Sequence, residues 1–275
     1  MAANIDHNVV QGFGDEWSRF DQSALSAAEL QELFDGYFDI FPWQRLPADA
    51  VGFDLGCGSG RWAKLVAPRV GKLYLIDPSE AALNVARANL ADVDNAEFRV
   101  GNAGAIPLEP ESCDFGYSLG VLHHVPDTEA GIRECVSKLT PGAPFLVYLY
   151  YSFDNRPAWF RAVWRVSDVF RRPISRLPHG LRYVVSQVIA AVVYFPLARI
   201  SLLLQKLGMN VESLPLSQYR DKSFYVMRTD SLDRFGTRLE QRFSKAEIRD
   251  MMERSGLVDI TFSTRSFWTA VGYKK

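Results

Sequence analysis

Asp54 and Asp77 end two apolar runs, VGFDL and KLYLID, and three glycines, Gly56, Gly58 and Gly60, follow the first of them in FDLGCGSGRW. Glycines in such a turn let the backbone approach a ligand lying across the ends of strands. The spacing is GxGxG, whereas a dinucleotide-binding turn, GxGxxG, needs a glycine at the place held by Arg61. A carboxylate at Asp54 would repel a pyrophosphate, but it suits a ligand that carries an ammonium and a sulfonium. Asp77, one strand later, can accept both hydroxyl protons of a ribose. Further along stand His123 and His124, whose side chains are matched to proton transfer near neutral pH. Tyr148, Tyr150 and Tyr151 follow in FLVYLYY, with Tyr148 and Tyr150 on one face of a strand and Tyr151 on the other.

These residues need a frame, and the middle of the chain supplies one. Apolar runs alternate with helical patterns, as in a parallel sheet with crossover helices. Strands are expected at Val51 to Leu55, Lys72 to Ile76, Ala96 to Val100, Cys113 to Leu119 and Pro144 to Tyr150. Helices are expected at Gly60 to Ala67, Ser79 to Leu90 and Thr128 to Leu139. After residue 242 the pattern resumes: FSKAEIRDMMERSGL has Ser244 and Glu247 at capping-box spacing and Gly256 as a stop. Strands Val258 to Ser263 and Phe267 to Tyr273 then follow. The expected organisation is an N-terminal helical cap over residues 1–48, a core over 49–150, a helical insertion over 151–242, and a closing helix and strands over 243–275.

At these residues the chain resembles the class I S-adenosylmethionine-dependent methyltransferases, of the type 11 or UbiE-like kind. FDLGCGSGRW looks like their first motif, and YLIDPSEAAL like the second, which puts Asp77 and Pro78 at the ribose. VGNAGAIPL is similar to the third, with Asn102 and Ala103 at the adenine edge, and CDFGYSLGVLHHVPD, with Leu119, resembles the fourth. LTPGAPFLVYLYY resembles the hairpin that enters strand five, with Ala143 in place of a glycine. The resemblance implies a Rossmann-like, seven-stranded, mostly parallel sheet with an antiparallel last strand. It also implies S-adenosylmethionine as cofactor, leaving as S-adenosylhomocysteine, with Asp54, Gly56, Gly58, Gly60 and Arg61 in its site. Members of the family that methylate exocyclic amino groups of nucleic-acid bases usually carry an Asn/Asp-Pro-Pro-aromatic element where Ser118-Leu119-Gly120-Val121 stands here, so that class of nucleic-acid methylation is not expected, and no DNA partner is expected.

Methyl transfer is an in-line displacement, and holding the acceptor atom about 3–3.5 Å from the methyl carbon does much of the work. An oxygen or nitrogen acceptor can also require a base. His123 or His124 can serve, with Tyr148 as a further candidate; the alternative is that the histidines bond the backbone or line the cofactor pocket, and that the tyrosines pack in the core. Cys57 reads as a packing residue in the glycine turn. In FGDEWSRF, Phe13, Trp17 and Phe20 recur at helical intervals and can either close over the site or join the core.

The insertion departs from a bare core. From Arg156 to Arg182 it holds seven arginines and one acid, Asp168. In NRPAWFRAVWRVSDVFRR, Arg161, Arg165, Asp168 and Arg172 fall on one helix face, with Trp159, Phe160, Val163, Trp164 and Phe170 largely on the other. Next, Tyr183 to Ala198 is a charge-free run of 16 residues, short for a membrane span of about 20 and interrupted by Pro196. A lid that buries its apolar side over the active site is one reading. Peripheral membrane contact, or a groove for a lipid-like substrate, is the other, and the two overlap. In YRDKSFYVMRTDSLDRFGTRLEQRF, Arg220, Tyr225, Arg228 and Arg234 are candidates, with Trp17 and Tyr150, for a substrate wall in which an arginine grips a carboxylate or phosphate. Solvated ion pairs are the alternative.

Composition adds limits. The 275 residues, 48% hydrophobic with net charge −1, fit one core with an elaboration and carry no global basic bias toward nucleic acid. Cys57, Cys113 and Cys135 have no metal spacing and cannot all pair, so a reducing cytoplasm and no metal are expected. The first residues lack the pattern of a secretory signal. The expected activity is methylation of a small or lipid-like acceptor under a helical lid, in the cytoplasm or at the inner membrane surface. Methylation of protein or RNA, and a non-catalytic S-adenosylmethionine-binding regulatory subunit, are the alternatives.

Overall fold

The computed structural model describes residues 4–22, 24–153, 156–265 and 268–275. The chain divides into two compact units, residues 1–152 with 239–275, and residues 153–238. In the first, seven strands form one sheet: β1 (Val51–Leu55), β2 (Lys72–Asp77), β3 (Ala96–Val100), β4 (Phe115–Leu119), β5 (Pro144–Tyr148), β6 (Leu257–Phe262) and β7 (Ala270–Lys274). Their order is β3-β2-β1-β4-β5-β7-β6, and β7 runs antiparallel to both neighbours. The strand order reverses between β1 and β4, so the loops after these two strands open the crevice where such sheets bind ligands.

Helices α1 (His7–Arg19), α2 (Ala27–Tyr37), α3 (Ala63–Val66), α4 (Glu80–Asn89), α5 (Thr128–Lys138) and α10 (Lys245–Arg254) surround the sheet. One face of the sheet packs Phe53, Leu55, Phe145 and Val147 against Ile132 of α5 and Met252 of α10. The other packs Leu73, Leu75, Phe115 and Tyr117 against Phe34 of α2 and Leu83 of α4. The alternation of strand residues between these clusters follows the pleat. It sends Tyr148 and Tyr150 to one side and Tyr151 to the other. Ser244 and Glu247 form the reciprocal capping box, and Gly256 takes φ +94° after the helix, a conformation open to glycine.

The differences from the expected elements are local. Helix α3 starts at Ala63, because the glycine loop occupies the preceding residues, and a 3-10 turn with Pro68 follows it. β4 starts at Phe115, Cys113 making only an isolated bridge to Leu139, and β5 ends at Tyr148. Phe267, the expected start of the last strand, lies outside the described residues. The insertion is narrower than expected: Tyr151, Ser152 and residues 239–242 belong to the core unit. There Ser152 N–H donates to Phe243 O, and Phe243 N–H to Tyr150 O, each at 2.9 Å.

The second unit is helical: α6 (Ala158–Ile174), α7 (His179–Ile189), α8 (Phe195–Lys206) and α9 (Phe224–Gly236). A π turn, Ala190–Tyr194, joins α7 to α8, so His179–Lys206 is one helix of 28 residues, long and apolar enough by length and composition to cross a membrane. The expected interruption at Pro196 does not occur. Phe195 N–H reaches back to Ala190 O, and this wider turn just ahead of Pro196 accommodates the ring and its missing N–H. Part of the apolar side is buried, Tyr194 and Ala198 packing with Met227 and Phe235, while Val166, Phe170 and Val192 are each about three-fifths exposed (59%, 62% and 63%). Arginines and serines share the inward side with that cluster.

Candidate cofactor and active site

The glycine loop is built by backbone geometry that side chains would spoil. Gly56, Gly58 and Gly60 take φ of +78°, +54° and +75°. A Cβ on Gly58 would lie 2.8 Å from the indole of Trp17, and one on Gly56 would lie 2.4 Å from Val121 in the loop after β4. The β1 and β4 loops therefore touch, and α1 lies across the first of them. Two anchors hold this helix and its lead-in segment. Gly14 abuts Ser79 at the start of α4, and Asn4 bonds Asp127 twice, donating to its carbonyl at 2.7 Å and accepting from its N–H at 2.9 Å. Arg61 spreads its guanidinium over the rings of Trp62 at 4.3 Å and Trp17 at 5.7 Å.

Two buried acids lie under this loop. Asp54 is 1% exposed, and among the described residues neither its Oδ2 nor the Tyr117 hydroxyl has a hydrogen-bond partner within bonding geometry. Burial pushes its carboxyl up to about 8; the Tyr117 hydroxyl and Arg61 partly offset this, and the charge of Asp77 adds to it. Asp77 accepts from Gly58 N–H at 3.0 Å and Ser79 N–H at 2.8 Å, and burial still raises its pKa to about 6. Two acids share the space with Arg61 as the cation that acts on Asp54, so a cationic ligand would relieve both. The glycine cradle, the partnerless oxygen and this charge deficit fit S-adenosylmethionine.

The remaining expected cofactor residues line the same edge of the sheet. Pro78 follows Asp77 between β2 and α4, and Leu119 ends β4. Asn102 Oδ1 accepts from Gly104 N–H at 2.8 Å, shaping the turn after β3, while Ala103 is buried in the core cluster. Cys57 is buried and its thiol is pushed well up by desolvation, which fits a packing role.

Beside the loop stands an aromatic and imidazole cluster. The His123 ring stacks on Tyr150 at 3.8 Å and lies 4.0 Å from His124; Tyr148 stands 6.0 Å from Tyr150, and Phe13 of α1 lies 5.1 Å from His124. Burial holds His123 well below the usual imidazole range, with the charges of His124 and Arg242 adding to the effect, so it is neutral at physiological pH. His124 Nδ1 lies 2.6 Å from Leu239 O; a carbonyl accepts only, so Nδ1 carries the proton and Nε2 is the basic nitrogen.

The fold thus brings Trp17, His123, His124, Tyr148 and Tyr150 to the loop edge of the core unit. Arg220, Tyr225, Arg228 and Arg234 lie in the other unit. Arg228 donates to Gln187 and, at 2.9 Å, to Tyr183 Oη; Arg234 donates to Ser167 Oγ at 3.2 Å; Arg220 bonds Gln205 and Ser217 O. These contacts cross-link helices of that unit. Tyr117, Val121 and Asn4 were not read from the sequence as site residues. The signal for Tyr117 is its register opposite Asp54 across β1 and β4, which only strand pairing reveals.

Residues 53–147 match the family described as a methyltransferase domain. The chain is 36% identical over 163 residues to a ubiquinone biosynthesis O-methyltransferase of Pseudomonas fluorescens, covering 56% of this chain and 66% of that one. It is 34% identical over 104 residues to a 2-phytyl-1,4-naphtoquinone methyltransferase of Thermosynechococcus vestitus, covering 36% and 46%. The chain therefore spans about half to two-thirds of the length of the curated relatives it matches. The methyltransferase of a Haloferax volcanii complex with the Trm112 activator shares the fold, with TM-score 0.52 at 16% identity over 94% of this chain and 96% of that one. With its glycine loop, its two acids and its seven-stranded sheet, the core of this chain carries a methyltransferase domain of the class I S-adenosylmethionine-dependent kind.

Proposed function

We propose that the protein methylates a small, lipid-like acceptor with S-adenosylmethionine as donor. The observation that carries the reading is the pair of buried, charge-deficient acids, Asp54 and Asp77, under a glycine loop covered by Trp17. In this reading Asp77 has lone pairs left for ribose hydroxyls, Asp54 supplies negative field to a cation, and Asn102 and Ala103 border the adenine. Gly56, Gly58 and Gly60 admit the ligand, with Arg61, Pro78 and Leu119 at the rim. S-adenosylmethionine, when bound, supplies a methyl group on a positively charged sulfur.

The chain's own contribution to the chemistry is placement and proton removal. His124, fixed through Nδ1, takes a hydroxyl proton at Nε2, while neutral His123, stacked on Tyr150, holds the cluster in register. Trp17, Tyr148 and Tyr150 border the acceptor and exclude water. Relatives named for ubiquinone biosynthesis and for a phytyl-bearing naphthoquinone support an apolar, ring-bearing acceptor. This reading puts the protein in the cytoplasm, near the membrane that dissolves such acceptors.

The test is incubation of the protein and methyl-labelled donor with fractionated extract, followed by mass spectrometry. Label in an apolar small molecule supports the reading. Label confined to RNA or protein overturns it, and donor binding without any transfer would make the chain a regulatory subunit. Asp77→Ala should weaken donor binding by about tenfold or more, for a lost charge-assisted pair of hydrogen bonds. His124→Ala should lower turnover about 100-fold with donor affinity unchanged.

A further inference from the structure

The insertion unit buries polar groups beside a small apolar cluster of Tyr194, Ala198, Met227 and Phe235. Inward it buries Asp168 and Arg171 of α6, Arg182 and Ser186 of α7, and Ser201 of α8. These groups are paired: Arg171 donates to Asp168 and to Thr237 O, each at 2.7 Å, Arg182 donates to Gly236 O at 2.6 Å, and Ser231 donates to Ser186 O at 2.8 Å. Outward, from Gly180 to Leu203, every exposed position is apolar or glycine. Only 22% of the most apolar 18 residues of this helix is buried, so it is not a core helix. At 1.5 Å per residue this uncharged stripe of 24 residues is about 36 Å long, and a contiguous exposed apolar stripe marks a surface that another medium or partner covers.

Charge identifies what covers it. α6, the preceding helix, exposes Trp159, Val163 and Phe170 together with Arg161, Arg165 and Arg172. Apolar side chains beside arginines match acyl chains beside anionic headgroups. A crossing helix is disfavoured, because Arg182, Arg199 and Arg228 line its inner side and would sit at hydrocarbon depth. Lying in the plane of the surface keeps all three on the water side. We propose that the helix His179–Lys206 lies in the plane of a bilayer containing anionic lipid, with Val184, Val188, Val192, Phe195, Ile200 and Leu203 sunk into the acyl layer. This holds whether or not the methyl-transfer reading does.

Flotation of the whole protein with vesicles tests it, comparing pure phosphatidylcholine with a phosphatidylcholine–phosphatidylglycerol mixture. Binding should be several-fold greater on the anionic vesicles and fall with salt, and V188D/V192D should lose at least tenfold in bound fraction while donor binding by the core is unchanged. Brominated lipid should quench part of the tryptophan fluorescence in the wild type, a part lost in Trp159→Phe and in V188D/V192D. A protein that ignores both kinds of vesicle overturns the proposal. So does a stable dimer that the V188D/V192D change converts to monomer without any effect on vesicles, since a second copy would then be the occupant.

Discussion

The two units of this chain solve opposite solvent problems with similar helices. In the core unit Phe53, Leu55, Phe145 and Leu83 are essentially inaccessible. In the insertion unit Arg171 and Arg182 are buried, while Val192 and Phe170 are turned outward. A helix with one apolar and one polar side is compatible with either arrangement, because amphipathicity describes a difference between faces and leaves the medium on each side unspecified. The core helices have a sheet to cover. The insertion helices have arginine and serine side chains that find carbonyls and carboxylates in one another, which leaves the apolar side for a different medium.

This contrast can be broken or sharpened by substitution. The largest expected effect is in the core: Phe53→Ala leaves a cavity beside Phe145 and should cost about 3–5 kcal/mol in urea unfolding. Next, Asp168→Ala leaves Arg171 buried with one partner fewer. Desolvation alone would raise the Asp168 carboxyl, but the bonds from Arg171 and Arg172 overcome it and hold the group below its ordinary range. The loss should be about 2–3 kcal/mol, read from the same unfolding curves, and a cost below 0.5 kcal/mol would deny the insertion a polar interior.

The third effect is a pH dependence in the core. Burial raises Asp54 to about 8, so below that pH the folded protein holds a proton that an unfolded carboxyl, at 3.8, has released. Unliganded stability therefore falls as pH rises toward 8, and a cationic donor must displace that proton when it binds at lower pH. Donor affinity should rise with pH by up to about tenfold per unit below pH 8. Calorimetry in buffers of different ionisation heats should detect the released proton, and Asp54→Asn should flatten the slope. The smallest effect is at the outer stripe, where Val192→Ser should change stability in solution by less than about 0.5 kcal/mol. A loss of 2 kcal/mol there would mean that the stripe packs against protein.

Much of the core was legible beforehand because its signals are local. β1 and β3 run as their apolar runs predict, Ser244 caps α10 where the spacing puts it, and the glycines adopt the positive φ angles their place in the loop requires. The chemistry was legible in part. Asp54, Asp77 and the histidine pair stand at the carboxyl ends of β1, β2 and β4, yet Asp54 is sealed under the loop instead of facing an open cleft, and its neighbour Tyr117 comes from a strand 63 residues away. The arginines of the insertion were misleading for the same reason. Arg228 and Arg234 look like anion grips until the helices that carry their partners, Gln187 and Ser167, are brought beside them.

By itself, then, the sequence determined the strands, the caps, the loop and the kind of ligand the loop admits, because each depends on residues a few positions apart. Only the tertiary structure decided which side of each insertion helix turns inward, that the long helix continues through Pro196, and which acid lacks a partner. Those outcomes depend on whether a buried polar group finds another to bond, and its partner stands on a different helix or strand, tens of residues away.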